Sequence, residues 1–161
     1  MRTGSRFGWS LLLCVCAAAQ GAELTVRTES GPALVLKAED LAKMPHETVS
    51  VPAPDGTRVA YEGVRLREIL LRAGVPRGKN VRGKELTTYI LAKARDGYQA
   101  IFSLGEIAAD LGNEEIVVVD SRTGKALDEK EGPLRLICPN DSAGARSVRM
   151  LESLDVVQLQ R

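Results

Sequence analysis

The chain has 161 residues, 22 of them basic and 21 acidic, with a single histidine and three cysteines. That length allows one domain with a real core. The near-balance of charge argues against nucleic acid or an anionic membrane as partner, and one histidine is too few for a histidine-rich metal site.

Residues 1–22 read as a signal peptide and residues 23–161 as the mature domain. Arg2 and Arg6 give a positive start. Trp9 to Ala19 is apolar and too short to span a bilayer, and small residues follow where a peptidase cuts. Removing this leader takes away Arg2 and Arg6 and leaves 20 basic against 21 acidic residues. It also removes Cys14 and Cys16, so Cys138 is alone and no intrachain disulfide can form. A lipoprotein reading through Leu11-Leu12-Leu13-Cys14 is weak, because small residues do not precede the cysteine.

Leu24 to Arg27 and Ala33 to Leu36 flank Glu29-Ser30-Gly31-Pro32 and predict a hairpin. Glu39 to Lys43 is a short helix with its acids at the N-terminus. Thr48 to Val51 and Arg58 to Tyr61 flank Pro54-Asp55-Gly56 and predict a second hairpin. Leu66, Ile69, Leu70 and Ala73 recur at helical spacing, with Gly74 as the cap. Thr87 to Ala92 is a strand, Arg95-Asp96-Gly97 turns, and Tyr98 to Phe102 returns. Leu104 to Leu111 reads as a helix closed by Gly112. Ile116 to Val119 is β-branched and apolar without a break, the pattern of a central strand buried on both faces. Ser121 to Lys125 reads as a polar turn, and Leu134 to Cys138 and Leu154 to Leu159 as the last strands. Short hairpin strands with a few short helices make a single mixed-sheet α+β domain.

The densest chemical signal lies near the C-terminus. The strand Gly132-Pro133-Leu134-Arg135-Leu136-Ile137-Cys138-Pro139 is followed by Gly144-Ala145-Arg146-Ser147-Val148-Arg149. A glycine turn beside two arginines and a serine suits an anion, through backbone N–H groups and bidentate guanidinium forks. A solvated surface remains the alternative for both arginines. Cys138 sits in an apolar run and reads as a buried thiol behaving as a small hydrophobe, with a reactive or metal-binding thiol as the alternative. A Ser-His-Asp set drawn from Ser142, His46 and Asp141 has no nucleophile-elbow pattern behind it. There is no Walker phosphate loop and no dinucleotide glycine fingerprint. Arg77-Gly78-Lys79 and Arg82-Gly83-Lys84 read as solvated basic loops.

From about Leu24 to Leu159 the order of motifs resembles the molybdopterin-binding domain of sulfite-oxidase-type oxidoreductases. The pieces are Tyr61 to Leu70 (YEGVRLREIL), Asp96 to Leu104 (DGYQAIFSL), Gly132-Pro133-Leu134-Arg135-Leu136 and Gly144 to Arg149 (GARSVR). The resemblance implies that fold. It also implies that Arg146, Ser147 and Arg149 lie against the phosphate-bearing end of the pterin. Tyr98 stands where the family has a tyrosine beside the metal centre, although an ordinary strand aromatic reads equally well.

Two departures qualify the implied activity. The family holds molybdenum through a cysteine thiolate upstream of the Gly-Val-x-Leu segment, and here Val49 to Gly56 is a hairpin turn without cysteine. Glu131 stands before Gly132 where sulfite oxidases often carry histidine, a poor neighbour for an anion. The leader points the same way, since Ser5-Arg6-Phe7 has one arginine where the route that exports folded cofactor proteins needs two.

The resulting expectation is a periplasmic protein exported by a Sec-type signal peptide, with no membrane span after cleavage. It is read as a non-catalytic accessory module with no metal ligands and no bound cofactor. Its guest would be a small anionic or pterin-like ligand, or an envelope protein partner. The alternative is an oxidoreductase that binds molybdopterin through Gly144 to Arg149 at an atypical metal site, with Tyr98 as its catalytic candidate.

Overall fold

The computed structural model describes residues 21–53, 55–76 and 80–160. Residues 1–20 of the leader, with Cys14 and Cys16, the turn residue Pro54 and the basic loop Arg77-Gly78-Lys79 lie outside the described residues.

Among the described residues ten strands form two sheets. The first takes β1 (Glu23–Thr28), β2 (Leu34–Lys37), β5 (Thr88–Ala94), β6 (Gln99–Ser103) and β10 (Leu151–Gln158) in the order β2-β1-β10-β5-β6. It is mixed, because β1 runs parallel to β10 with Thr25 opposite Ser153, while its other pairs are antiparallel. The second takes β3 (His46–Pro52), β4 (Arg58–Arg65), β7 (Val117–Arg122) and β8 (Lys125–Ala126) in that order, and β9 (Arg135–Ile137) also pairs with β7. Three short α-helices among the described residues join them: α1 (Ala38–Ala42), α2 (Leu66–Arg72) and α3 (Leu104–Ile107). The expected mixed-sheet α+β domain is what forms.

Alternation sets the faces. β1 buries Leu24 and Val26, and β5 buries Thr88, Ile90, Ala92 and Ala94. Leu24, Val26, Ile90, Ala92 and Ala94 pack with Leu154, Leu66, Ile69, Phe102, Ile107 and Leu134 into one large core. Val117, Val118 and Val119 are all buried, as an uninterrupted apolar run requires. Val118 joins the large core, whereas Val117 and Val119 meet Val49, Tyr61 and Ile137 in a second, smaller one on the other face of the sheet.

Gly63 explains part of the Tyr-Glu-Gly-Val motif. A Cβ there would lie 2.1 Å from the Val118 carbonyl oxygen and 2.5 Å from the Val119 Cα. The register between β4 and β7 shifts at Glu62/Gly63, so only glycine lets the two backbones come this close.

Three elements differ from expectation. The helix expected over Leu104 to Leu111, α3, stops at Ile107, because Ala108 is extended and the chain folds back. Gly112 N–H reaches the Gly105 carbonyl (3.1 Å) and Glu114 N–H the Glu106 carbonyl (2.8 Å). Ser121 and Arg122 belong to β7 rather than to a turn, since Thr123 and Gly124 alone make the bend at φ 52° and 74°. The last strand begins at Leu151, with a bulge before Ser153.

Candidate functional site

The Gly144 segment is held by a pinched loop. Leu136 N–H donates to the Val148 carbonyl (2.8 Å), Leu151 N–H to the Leu134 carbonyl (2.8 Å), and Cys138 N–H to Ser147 Oγ (3.1 Å). Gly144–Arg146 then turns as a 3-10 element, closed by Ser147 N–H on the Gly144 carbonyl (3.1 Å). The β5–β6 turn docks beside it through Arg95 N–H on the Met150 carbonyl (3.0 Å). Within that turn Gly97 takes φ 88°, Asp96 accepts from Tyr98 N–H (3.0 Å), and the Tyr98 hydroxyl donates to the Ala145 carbonyl.

Between these pieces lies an open cleft of about 430 Å³, bordered by Asp96, Tyr98, Ser147 and Arg149, with Arg135 also on its wall. Tyr98 is 48 % exposed, so its ring is offered to solvent rather than to the core. Arg149 is exposed and makes no side-chain hydrogen bond or ion pair among the described residues. Three of the four sequence candidates, Tyr98, Ser147 and Arg149, therefore share one cleft.

Arg146 does not line it. Its Nε and Nη2 form a two-pronged pair with Asp141 (2.9 and 2.7 Å), its Nη1 donates to Glu106 of α3 (2.9 Å), and its Cζ lies 5.3 Å from the centre of the Phe102 ring. The bond to Asp141 raises its pKa further above the ordinary arginine value, despite the cost of partial burial. Sequence reading missed both acids as partners of Arg146. Ser103-Leu104-Gly105-Glu106 carried a legible signal, a capping pattern in which Ser103 Oγ accepts from Glu106 N–H (3.1 Å). It placed Glu106 on a helix start but not beside an arginine 40 positions away.

Arg135 bridges the cleft wall and the smaller core. Nη1 donates to Glu131 (2.9 Å) and to the Tyr61 hydroxyl (3.0 Å), and the guanidinium stacks 5.3 Å from the Tyr61 ring centre. Its Nε is buried without a partner among the described residues. Glu131 also lies 3.7 Å from Arg122. The acid expected to repel an anion is thus already paired. His46 belongs elsewhere: Nδ1 contacts the Met44 carbonyl (2.9 Å) and Nε2 lies 3.3 Å from Asp120 of β7, while Asp141 is bound to Arg146.

Cys138 is 6 % exposed, belongs to the large core and does not border the cleft. Burial pushes its thiol up to about 12; Asp141, Glu106 and Glu114 add to the rise and Arg146 opposes it. Among the described residues no group of three or more His, Cys, Asp or Glu side chains is arranged to hold a metal. No helix among them is long and apolar enough to cross a membrane.

This arrangement falls within a known family. The model of the oxidoreductase molybdopterin binding domain matches residues 53–161, and the chain belongs to that family. Among solved structures the chain is similar in fold to the sulfane dehydrogenase SoxCD from Paracoccus pantotrophus, with a TM-score of 0.64 and 20 % identity. That likeness covers 84 % of this chain but only 38 % of the SoxCD chain. A search of curated proteins gives no sequence match.

The donor set fits a metal-bearing pterin poorly. The family resemblance implies a cysteine thiolate on the metal, and Cys138 is buried in the large core and does not border the cleft. The arginine of the Gly-Ala-Arg segment, which would meet a phosphate, is taken by two carboxylates. What remains open is the Tyr98–Arg149 cleft.

Proposed function

We propose that this chain is an exported, non-catalytic member of its family that binds a small anionic or pterin-like ligand in the cleft between the β5–β6 turn and the Gly144 loop. The observation that carries the reading is the placement of Cys138, which is 6 % exposed in the large core and does not border the cleft. Arg149 supplies the uncommitted positive charge, Tyr98 a flat face for a ring, and Ser147 a hydroxyl oxygen already fixed by Cys138 N–H. Export rests on the leader-like residues 1–22.

Thermal-shift titration of the mature chain with oxyanions and with pterins, free and phosphorylated, tests ligand binding. A ligand at a hundredfold its Kd adds about 2.7 kcal/mol, enough to move the melting temperature by several degrees. The expected result is a response that Arg149→Gln removes. No response to any of these compounds would reject the small-ligand reading and leave an envelope protein as the partner.

A further inference from the structure

We infer that Asp141 and Glu106 are specificity-determining residues that keep phosphate-bearing ligands off Arg146. A guanidinium offers five N–H bonds in a planar fork, and phosphate is gripped through two of them at once. Here one two-pronged edge holds Asp141, a third donor holds Glu106, and the ring of Phe102 lies against the group. The two carboxylates outweigh the single guanidinium charge, so the cluster carries a net charge of about −1 and repels a phosphate before contact.

The acids are themselves fixed. The Ser103 hydroxyl contacts Glu106 Oε2 (3.4 Å) while Ser103 Oγ accepts from Glu106 N–H (3.1 Å). Asp141 N–H meets the Cys138 carbonyl (3.3 Å) at the start of the loop, and the next acid, Glu114, accepts from Asn140 Nδ2 (3.2 Å). A carboxylate tethered five residues from its arginine competes at an effective concentration of about millimolar or higher. A dilute free phosphate does not displace it. Arg146 then works as a clamp that ties the Gly144 loop to α3, and Asp141 and Glu106 decide what that arginine accepts. This goes beyond the cleft reading and does not depend on Arg149 binding anything.

The test is calorimetric titration of the mature chain with inorganic pyrophosphate at constant ionic strength, in an Arg149→Gln background that silences the cleft. Adding Asp141→Asn and Glu106→Gln together is expected to raise affinity at least tenfold over the background. Adding Arg146→Gln as well should erase that gain. A folded double variant that gains nothing overturns the inference, as does pyrophosphate binding by the background protein that Arg146→Gln removes. Should the double variant fail to fold, the Arg146 Nε–H resonance is followed in the unmodified chain during the same titration. An unmoved resonance upholds the inference, and a saturable shift overturns it. Because Arg149 is absent from the calorimetry, a failed thermal-shift screen and a failed lock remain separate results.

Discussion

The state of Cys138 has a direct chemical consequence. Thiol reagents attack the thiolate, and a rise in pKa from 9.0 to about 12 leaves about a thousandfold less of it at neutral pH. At 6 % exposure the sulfur also has to be uncovered before a reagent reaches it. The two effects multiply, so alkylation by iodoacetamide at pH 7.4 is expected to run at least a thousandfold slower in the native mature chain than in the chain unfolded in guanidinium. Mass spectrometry of quenched time points gives both rates on one residue, since removal of the leader leaves Cys138 alone. Cys138→Ala gives the matching perturbation. It deletes one sulfur from the core at a cost of about 1 kcal/mol and leaves ligand responses in the cleft unchanged. Native alkylation within tenfold of the unfolded rate, or loss of those responses in Cys138→Ala, would refute the reasoning. Either outcome would put the thiol in the working site.

Gly63→Ala drives a methyl group into the Val118 and Val119 backbone and should lower the urea midpoint by an amount worth about 3 kcal/mol or more, whereas Gly105→Ala meets nothing nearer than Leu86 Cδ2 at 3.6 Å and should be neutral or raise the midpoint by up to about 1 kcal/mol. At His46 burial opposes the charge, but the Met44 carbonyl and the Asp120 carboxylate outweigh it and raise the pKa above 6.5. A raised folded-state pKa gives stability that is complete below 6.5 and fades as pH climbs through the higher folded value. The melting temperature should therefore fall across that window, and His46→Gln should flatten this part of the profile. Tyr98→Phe removes the hydrogen bond to the Ala145 carbonyl and, at 48 % exposure, should cost less than about 1 kcal/mol while speeding hydrogen exchange in the 144–147 turn.

Much of the architecture was legible because local chemistry dictated it. Glycine and proline clusters marked the first two hairpins, the Leu66, Ile69, Leu70 spacing marked α2, and the Val117 to Val119 run announced a strand covered on both sides. The last strand was foreseen but its place was not. It inserts between β1 and β5 and runs parallel to β1, and no short-range pattern encodes a partner more than a hundred residues away. The shortened α3 has a similar origin, since its end is set by hydrogen bonds that fold 112–114 back onto 105–106. In the site, sequence reading named Tyr98, Ser147 and Arg149 through the family resemblance, and the structure puts all three on the border of one cleft. It placed Arg146 with them because the Gly144 to Arg149 segment offers both guanidinium groups beside one glycine turn. The structure separates them by what each side chain meets: carboxylates for Arg146, and an open cleft for Arg149.

The central claim is that the mature chain works without molybdenum. Elemental analysis and pterin fluorescence on protein isolated from its native cell envelope test it most directly, because an overexpressing host can fail to load a cofactor that the native cell supplies. The account predicts far less than one molybdenum atom per chain and no stoichiometric pterin. About one of each per chain would contradict it.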